Sequence, residues 1–128
     1  MSPDETKLIE LTDRLLDAIS GGDWPVYSEL CDPSLSCFEP EARGHLVQGM
    51  PFHKFYFELG GNNPGQTTIA SPHVRLLGAD VAVVSYVRLV QQVDSSGEAC
   101  TCRFEETRVW HRKNECWKHV HFHRSANA

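Results

Sequence analysis

The sequence has no surplus of basic residues and no long apolar segment, and both absences narrow its function. Twelve lysines and arginines stand against seventeen acidic residues, which gives a net charge of −5. Nucleic-acid binding requires clustered positive charge, so we expect no nucleic-acid partner. No apolar run approaches the roughly 20 residues of a membrane-spanning helix, and the acidic, polar start does not resemble a signal peptide. We therefore expect a cytoplasmic chain without a membrane partner.

The spacing of the cysteines carries no recognised motif. Five cysteines occur, an odd number, and no two of them form a CxxC pair. This pattern argues against a disulfide framework and against a zinc knuckle, so we expect reduced thiols. Glycine-rich phosphate loops and the GxSxG motif are also missing. We predict no cofactor, no metal and no catalytic residues.

The length and composition are typical of one globular domain, which we expect to span residues 1–128. Ser2, Pro3 and Glu5 form a capping-box pattern, and leucines then recur at helical spacing as far as Gly21 and Gly22. Alternating and β-branched segments separated by short turns follow in the second half. Three helices are predicted: a long first helix that ends at residue 21, and two shorter helices over 24–30 and 52–59. Strands are predicted over 35–39, 66–77, 81–93, 98–112 and 116–124.

Short turns between the last four strands predict an antiparallel meander. Helices first and a long curled sheet afterwards predict an α+β fold, a cone-shaped cup of curved antiparallel sheet wrapped around the N-terminal helix. Residues 81–90 are apolar on both faces, which predicts helices on one side and a partner subunit on the other. The aromatic helix 52–59 should be wedged between two surfaces, and residues 60–65 predict a flexible loop.

Three arginines stand where an extended strand should place core residues. Arg88, Arg108 and Arg124 each alternate with apolar or aromatic residues along a predicted strand. An unpaired guanidinium is costly to remove from water, and its planar donors match the two oxygens of a carboxylate. We therefore expect the three to line a cationic pocket that binds an anion. The competing interpretation is that each pairs with a local acid: Glu39, Glu105 or Glu106.

Histidines offer two further candidate sites. His53, on the aromatic helix, can project into the same pocket as a general base, but the sequence assigns it no carboxylate partner. A buried, hydrogen-bonded histidine is the competing interpretation. His119, His121 and His123 alternate along the last strand and should share one face, as in some strand-borne metal sites. No motif specifies a fourth ligand, so a rim or interface position is the favoured interpretation.

Several long runs of this sequence occur together in one known family. The runs are Cys31-Asp32-Pro33, Phe38-Glu39-Pro40-Glu41-Ala42, Phe52-His53-Lys54-Phe55-Tyr56-Phe57-Glu58, Glu105-Glu106-Thr107-Arg108-Val109-Trp110-His111-Arg112 and Val120-His121-Phe122-His123-Arg124-Ser125. In their order and spacing, they closely resemble the association, or hub, domain of calcium/calmodulin-dependent protein kinase II. The resemblance covers essentially the whole chain and implies a nuclear-transport-factor-2-like fold.

The resemblance implies a non-catalytic module whose main partner is itself. Such modules pair into dimers, which stack into a two-tiered ring of about twelve to eighteen copies. In the kinase, the ring holds many kinase domains close together and so raises their effective concentration. A hub cut from a longer kinase and a free-standing hub both fit the resemblance, and calmodulin binding is expected only in a whole kinase.

The resemblance also implies a ligand site. The family's cup holds an arginine-lined cavity for small carboxylates or a peptide segment, such as the regulatory segment of a kinase domain. Carried over residue by residue, its contacts are His53, Arg88, Arg108 and Arg124. The glycine-rich loop after Glu58 is shorter here and lacks the tryptophan of the animal kinases. The alternative function is an isomerase or dehydratase of the same cup fold, and a carboxylate sensor that tightens the ring is compatible with the hub.

Overall fold

The computed structural model describes residues 1–59 and 65–126, so nearly all of the loop predicted at 60–65 lies outside the described residues. Helices and strands follow one another as the sequence predicts, with two short additions, a 3-10 helix and strand β2. The elements are α1 (Pro3–Gly21), α2 (Trp24–Leu30), β1 (Cys31–Phe38), the 3-10 helix (Pro40–Ala42), β2 (Val47–Gln48), α3 (Pro51–Glu58), β3 (Gln66–Leu76), β4 (Val81–Val93), β5 (Ala99–Lys113) and β6 (Cys116–Arg124).

The long first helix begins where the capping box predicts. The Ser2 hydroxyl accepts a hydrogen bond from the Glu5 amide (3.2 Å), and the Glu5 carboxylate accepts one from the Ser2 amide (3.1 Å). The helix ends at Gly21, and the capping residue Gly22 has a positive φ of 66°, which suits a residue without a side chain. Its leucines are buried in the core, and the helix packs mainly against strand β3. The α+β cup around this helix is confirmed.

The six strands form one curved sheet in the order β2-β1-β6-β5-β4-β3. The meander β3-β4-β5-β6 is antiparallel, as predicted. The expectation of a wholly antiparallel sheet is wrong, because β1 pairs in parallel with β6, with Cys37 opposite Phe122. Parallel neighbours need a long connection, and here α3 and four strands supply it. The sheet is therefore mixed.

Strand β1 begins at Cys31, four residues earlier than the predicted strand. The predicted strand begins at residue 35, after Pro33, and a proline cannot donate to a strand ladder. The structure resolves this conflict with an irregularity: β1 pairs with β6 at Cys31 and again from Ser36, and the register shifts between them. Pro33 lies within that shift, where its missing N–H costs no ladder bond.

The sequence predicts that helix α3 is wedged between two surfaces, but within the single chain only one of its faces is covered. Of its side chains, only His53 is buried, while Phe55, Tyr56 and the following Leu59 remain exposed at 58%, 41% and 64%. Lys54 and Glu58, four positions apart on the helix surface, form an ion pair at 3.7 Å. One face of the helix therefore closes the cup, and the other carries exposed apolar side chains. Among the described residues, no helix has both the length and the apolar character to cross a membrane.

Candidate functional site

The structure brings all four predicted site residues to one cavity. His53 from α3, Arg88 from β4, Arg108 from β5 and Arg124 from β6 line a space of about 280 Å³ inside the cup. Alternation along each strand turns the three arginine side chains inward, and strands β4, β5 and β6, which carry them, are neighbours in the sheet. The predicted convergence is therefore present in the structure.

A buried carboxylate, Glu106, lies at the centre of the arginines. Its Oε2 accepts from Nη1 of Arg88 at 3.2 Å, and its Oε1 accepts from Nη2 of Arg108 at 3.1 Å. Only 1% of Arg108 and 2% of Glu106 is exposed, so both charges are removed from water. Burial alone would raise the pKa of Glu106, but Arg108 and Arg88 outweigh it and hold that pKa below its ordinary value. Glu106 therefore stays ionised and neutralises one guanidinium.

The guanidinium group of Arg108 contacts four neighbouring side chains: Tyr86, Glu106, His119 and Phe122. Its Nε donates to the Tyr86 hydroxyl at 2.8 Å, and that hydroxyl donates to Glu106 at 2.6 Å. Its guanidinium carbon lies 4.5 Å from the centre of the Phe122 ring. Nη1 lies 3.3 Å from Nε2 of His119, and because a guanidinium can only donate, this nitrogen must accept. Sequence reasoning missed Tyr86 and His119 as partners of Arg108, because Tyr86 looks like a core position and the sequence favours a rim or interface position for His119.

Arg124 lies nearer the cavity rim and has its own acids. Its Nη2 contacts Oε1 of Glu41 and lies 3.7 Å from Oε2 of Glu39. Its guanidinium carbon lies 5.1 Å from the centre of the Phe104 ring. Glu39 and Glu41 line the same cavity. The expected cationic pocket is thus compensated, because three carboxylates accompany the three guanidinium groups, and the competing interpretation of local ion pairs describes the arginines of this chain.

One donor of the arginine cluster is left over. The Nε of Arg88 is buried and has no hydrogen-bond partner among the described residues. Buried donors are nearly always paired, so this N–H remains available to an acceptor that enters the cavity. Arg88 itself lines the cavity. Despite its charge balance, the cavity wall therefore contains a buried donor without a partner among the described residues.

His53 has the carboxylate partner that sequence reasoning missed. Its Nδ1 lies 3.6 Å from Oε1 of Glu39, and its Nε2 lies 3.8 Å from the Cys37 sulfur. Glu39 ends the predicted strand 35–39, and only the contact between α3 and the end of β1 brings it to the ring. Burial, with a further effect of Arg108, lowers the pKa of His53 to about 4. The imidazole is therefore neutral at neutral pH.

The three strand histidines do not share a face, contrary to the prediction. Val109 pairs with His121, but Trp110 pairs with His119, so Val120 is an extra residue on β6. This bulge turns His119 into the cup, where none of it is exposed, while His121 stays partly exposed and donates to or accepts from Ser36 at 2.7 Å. His119 and His121 therefore belong to opposite faces, and a metal site on the three-residue ladder is excluded by this geometry.

The fold and the cavity define an α+β cup of the nuclear-transport-factor-2-like class. A solved NTF2-like protein from Cytophaga hutchinsonii superposes with a TM-score of 0.76 at 20% identity, covering 98% of this chain and 99% of that chain. The chain belongs to the family described as calcium/calmodulin dependent protein kinase II association domain, whose model matches residues 4–128.

Relatives and solved structures agree with this assignment. The alpha chain of calcium/calmodulin-dependent protein kinase type II of Drosophila melanogaster is 53% identical over 125 residues, which are 95% of this chain and 24% of the relative. The association domain of C. elegans CaMKII superposes with a TM-score of 0.91 at 46% identity, covering 96% of this chain and 95% of that chain. The Chlamydomonas reinhardtii CaMKII hub homology domain gives 0.90 at 45% identity and covers 98% of each chain. The chain spans about a quarter of the length of the curated relatives that it matches.

Proposed function

We propose that this chain is a non-catalytic, cytoplasmic self-association module whose residues 1–128 form one domain. Its dimers assemble into a two-tiered ring of about twelve to eighteen copies, as a scaffold for kinase subunits or as a free-standing hub. Membership of the association-domain family carries this proposal. In a kinase, the ring would raise the local concentration of the kinase domains, and calmodulin binding would belong to the whole kinase alone.

Apolar side chains on the outer surface support self-association. Along β4, Ala82 and Val84 are buried inside the cup, whereas Val83, Val87 and Leu89 on the opposite face are only partly buried in the single chain. Contiguous exposed apolar surface is typical of protein interfaces. A second copy of the chain would cover this face and so complete the two-sided burial that the sequence predicts for the strand.

Native mass spectrometry at micromolar concentration tests the ring. Twelve or more copies of the 14.4 kDa chain should give a species of about 170 kDa or larger. Val87→Glu should reduce it to smaller species, since a charge would be buried in the interface. Thr6→Glu is the control, because it adds the same charge at an exposed position on α1, away from the outer face of β4. A monomeric or dimeric wild-type chain would refute ring assembly.

We further propose that the cavity binds a small carboxylate or a carboxylate-bearing peptide segment through His53, Arg88, Arg108 and Arg124. The free Nε–H of Arg88 supports this, as does the rim position of Arg124, whose ion pair with Glu41 is partly exposed to competing anions. Because Arg108 is committed to Glu106 and Tyr86, it shapes the potential of the cavity more than it offers free donors.

Titration calorimetry with succinate tests the cavity, with succinamide as the uncharged control ligand. Arg88→Lys keeps a positive charge beside Glu106 but removes the planar donor, so affinity should fall about tenfold or more. Arg75→Lys, at a position on β3 outside the cavity lining, is the matched control. Equal affinity for succinate and succinamide, or an unchanged affinity in Arg88→Lys, would reject the assignment.

The competing hypothesis is an isomerase or dehydratase that uses the His53 and Glu39 pair. That pair is the one observation in its favour, because a carboxylate can orient a histidine base. The low pKa of His53 makes the ring a weak base, which favours the non-catalytic proposal. Turnover of an unsaturated ketone or hydroxy acid by the wild type, abolished in His53→Gln, would establish the enzyme instead.

A further inference from the structure

Three side chains at the wall of the cup combine a sulfur, an oxygen and a nitrogen ligand. Cys37 lies in β1 and Glu39 directly follows that strand, two positions on, so their side chains point the same way. His53 reaches them from α3, which crosses this end of the strand. One ligand atom from each residue lies within 4.8 Å of the other two. No other group of this kind occurs among residues 1–59 and 65–126.

The spacing is close to that of a tetrahedral zinc site. Nδ1 of His53 lies 3.6 Å from Oε1 of Glu39, and its Nε2 lies 3.8 Å from the Cys37 sulfur. A metal ion takes only one of these two nitrogens, and with one ligand atom from each residue the separations do not exceed 4.8 Å. Zinc bonds of about 2.3 Å to sulfur and about 2.0 Å to nitrogen or oxygen place ligand atoms roughly 3.3–3.7 Å apart. Whichever nitrogen binds, one of its two contacts is therefore already close to this range. Side-chain movements of about 1 Å would bring the remaining separations, which do not exceed 4.8 Å, into it.

The imidazole is held in place before any ion arrives. The ring of His53 lies 6.1 Å from that of Tyr27, 5.9 Å from that of Phe52 and 5.7 Å from that of Phe122, measured between centroids. Aromatic neighbours on several sides restrict the ring to a narrow range of orientations. Ligands fixed by their surroundings bind a metal without a large ordering cost, which favours a site over a chance cluster.

The charges around the cluster also permit a divalent cation. Arg108 and Arg124 are nearby cations, but a zinc ion held by a thiolate and a carboxylate has no net charge, and the thiol proton leaves to solvent. Arg124 keeps its contact with Glu41 when Glu39 turns to the metal. Glu39 and His53 both line the cavity, so the remaining coordination position would face it.

We propose that Cys37, Glu39 and His53 form a zinc-binding site in the wall of the cup, with a fourth position open to the cavity. Three protein ligands and one exchangeable position are the pattern of zinc sites that bind a further ligand. The open position would take water or a carboxylate oxygen from the cavity. This inference does not depend on ring assembly, and its failure would leave the self-association proposal unaffected.

Titration of the full chain with Co²⁺ tests the site, because cobalt replaces zinc and its bond to a thiolate gives an intense charge-transfer absorption in the near ultraviolet. The wild type should develop this band up to one equivalent per chain, and Zn²⁺ should remove it. Cys37→Ser should abolish the band. Cys102→Ser is the matched control, since Cys102 lines the same cavity outside the cluster, and it should keep the band unchanged.

Glu39→Gln is a second test of the site, which does not depend on whether the Cys37→Ser variant folds. Its side chain is of equal size at the cavity wall, and it should bind Co²⁺ at least about tenfold more weakly while its circular dichroism stays that of the wild type. A band that persists in Cys37→Ser, a band lost in Cys102→Ser, or an unchanged affinity in Glu39→Gln would each overturn the proposal. Cobalt bound without the thiolate band would do the same.

Discussion

Glu106 and Arg108 stand two positions apart on strand β5 and form an ion pair that is closed to solvent, with 3.1 Å between Oε1 and Nη2. Their side chains share a face because strand neighbours alternate, and that face is the inside of the cup. Arg88 reaches the other carboxylate oxygen from β4. A single carboxylate thus supports two buried cations, and the interior of the cup depends on it.

We expect Glu106→Gln to lower the free energy of unfolding by about 3–5 kcal/mol, because it leaves Arg88 and Arg108 buried without a counter-charge. The neighbouring Glu105→Gln is the control: its side chain is exposed and pairs with Arg103 at 3.7 Å on the outer face, so a change within about 0.5 kcal/mol is expected. Urea unfolding at one fixed chain concentration measures both. Equal effects of the two variants would show that the buried pair is not a determinant of stability.

Tyr86→Phe should also destabilise the chain, by about 1–3 kcal/mol. The hydroxyl bridges Arg108 and Glu106, and its removal leaves the Arg108 Nε without an acceptor. Tyr27→Phe provides a comparison at a second buried tyrosine, whose hydroxyl does not bridge the Glu106 and Arg108 pair. Thermal unfolding followed by circular dichroism compares them. A larger loss in Tyr27→Phe would contradict the bridging role of Tyr86.

Stability should fall as the pH drops from 6.5 towards about 4. Burial lowers the pKa of His53 to about 4 and that of His119 well below 6.5, so the unfolded chain binds these protons first. Stability is therefore full above pH 6.5 and is lost on acidification, by up to about 3 kcal/mol for His53. Melting temperatures across this interval should vary less in His119→Gln than in the wild type, whereas His45→Gln, at an exposed position, should follow the wild type.

Gly65→Ala should destabilise the start of strand β3. A Cβ at this position would lie 2.8 Å from the Gln91 carbonyl oxygen and 2.8 Å from a Val90 methyl carbon, and the backbone oxygen cannot turn away. The expected loss is about 1–3 kcal/mol. Gly21→Ala, in the last turn of α1 with no atom within 4 Å, should be neutral or slightly stabilising. Urea midpoints compare the two, and a neutral Gly65→Ala would mean that the strand shifts to make room.

Local signals predicted the elements well. The capping box and the glycines set both ends of α1, and strand β4 spans the predicted residues 81–93. These features depend on the backbone preferences of a few adjacent residues, which a sequence displays directly. The early start of β1 and its parallel pairing with β6 escaped prediction, because a partner strand more than 80 positions away stabilises the stretch around Pro33.

The candidate site divides in the same way. Alternation along the strands was enough to predict that Arg88, Arg108 and Arg124 point into one cup, because the side-chain period of a strand is two. The sequence alone also established the family, through long runs of matching residues. Tertiary structure decided that the cup is charge-balanced, that Glu39 and Cys37 meet His53, and that a bulge at Val120 turns His119 inward. Each of these depends on the register between distant segments, and register is set by the packing of the whole sheet rather than by the residues of any one strand.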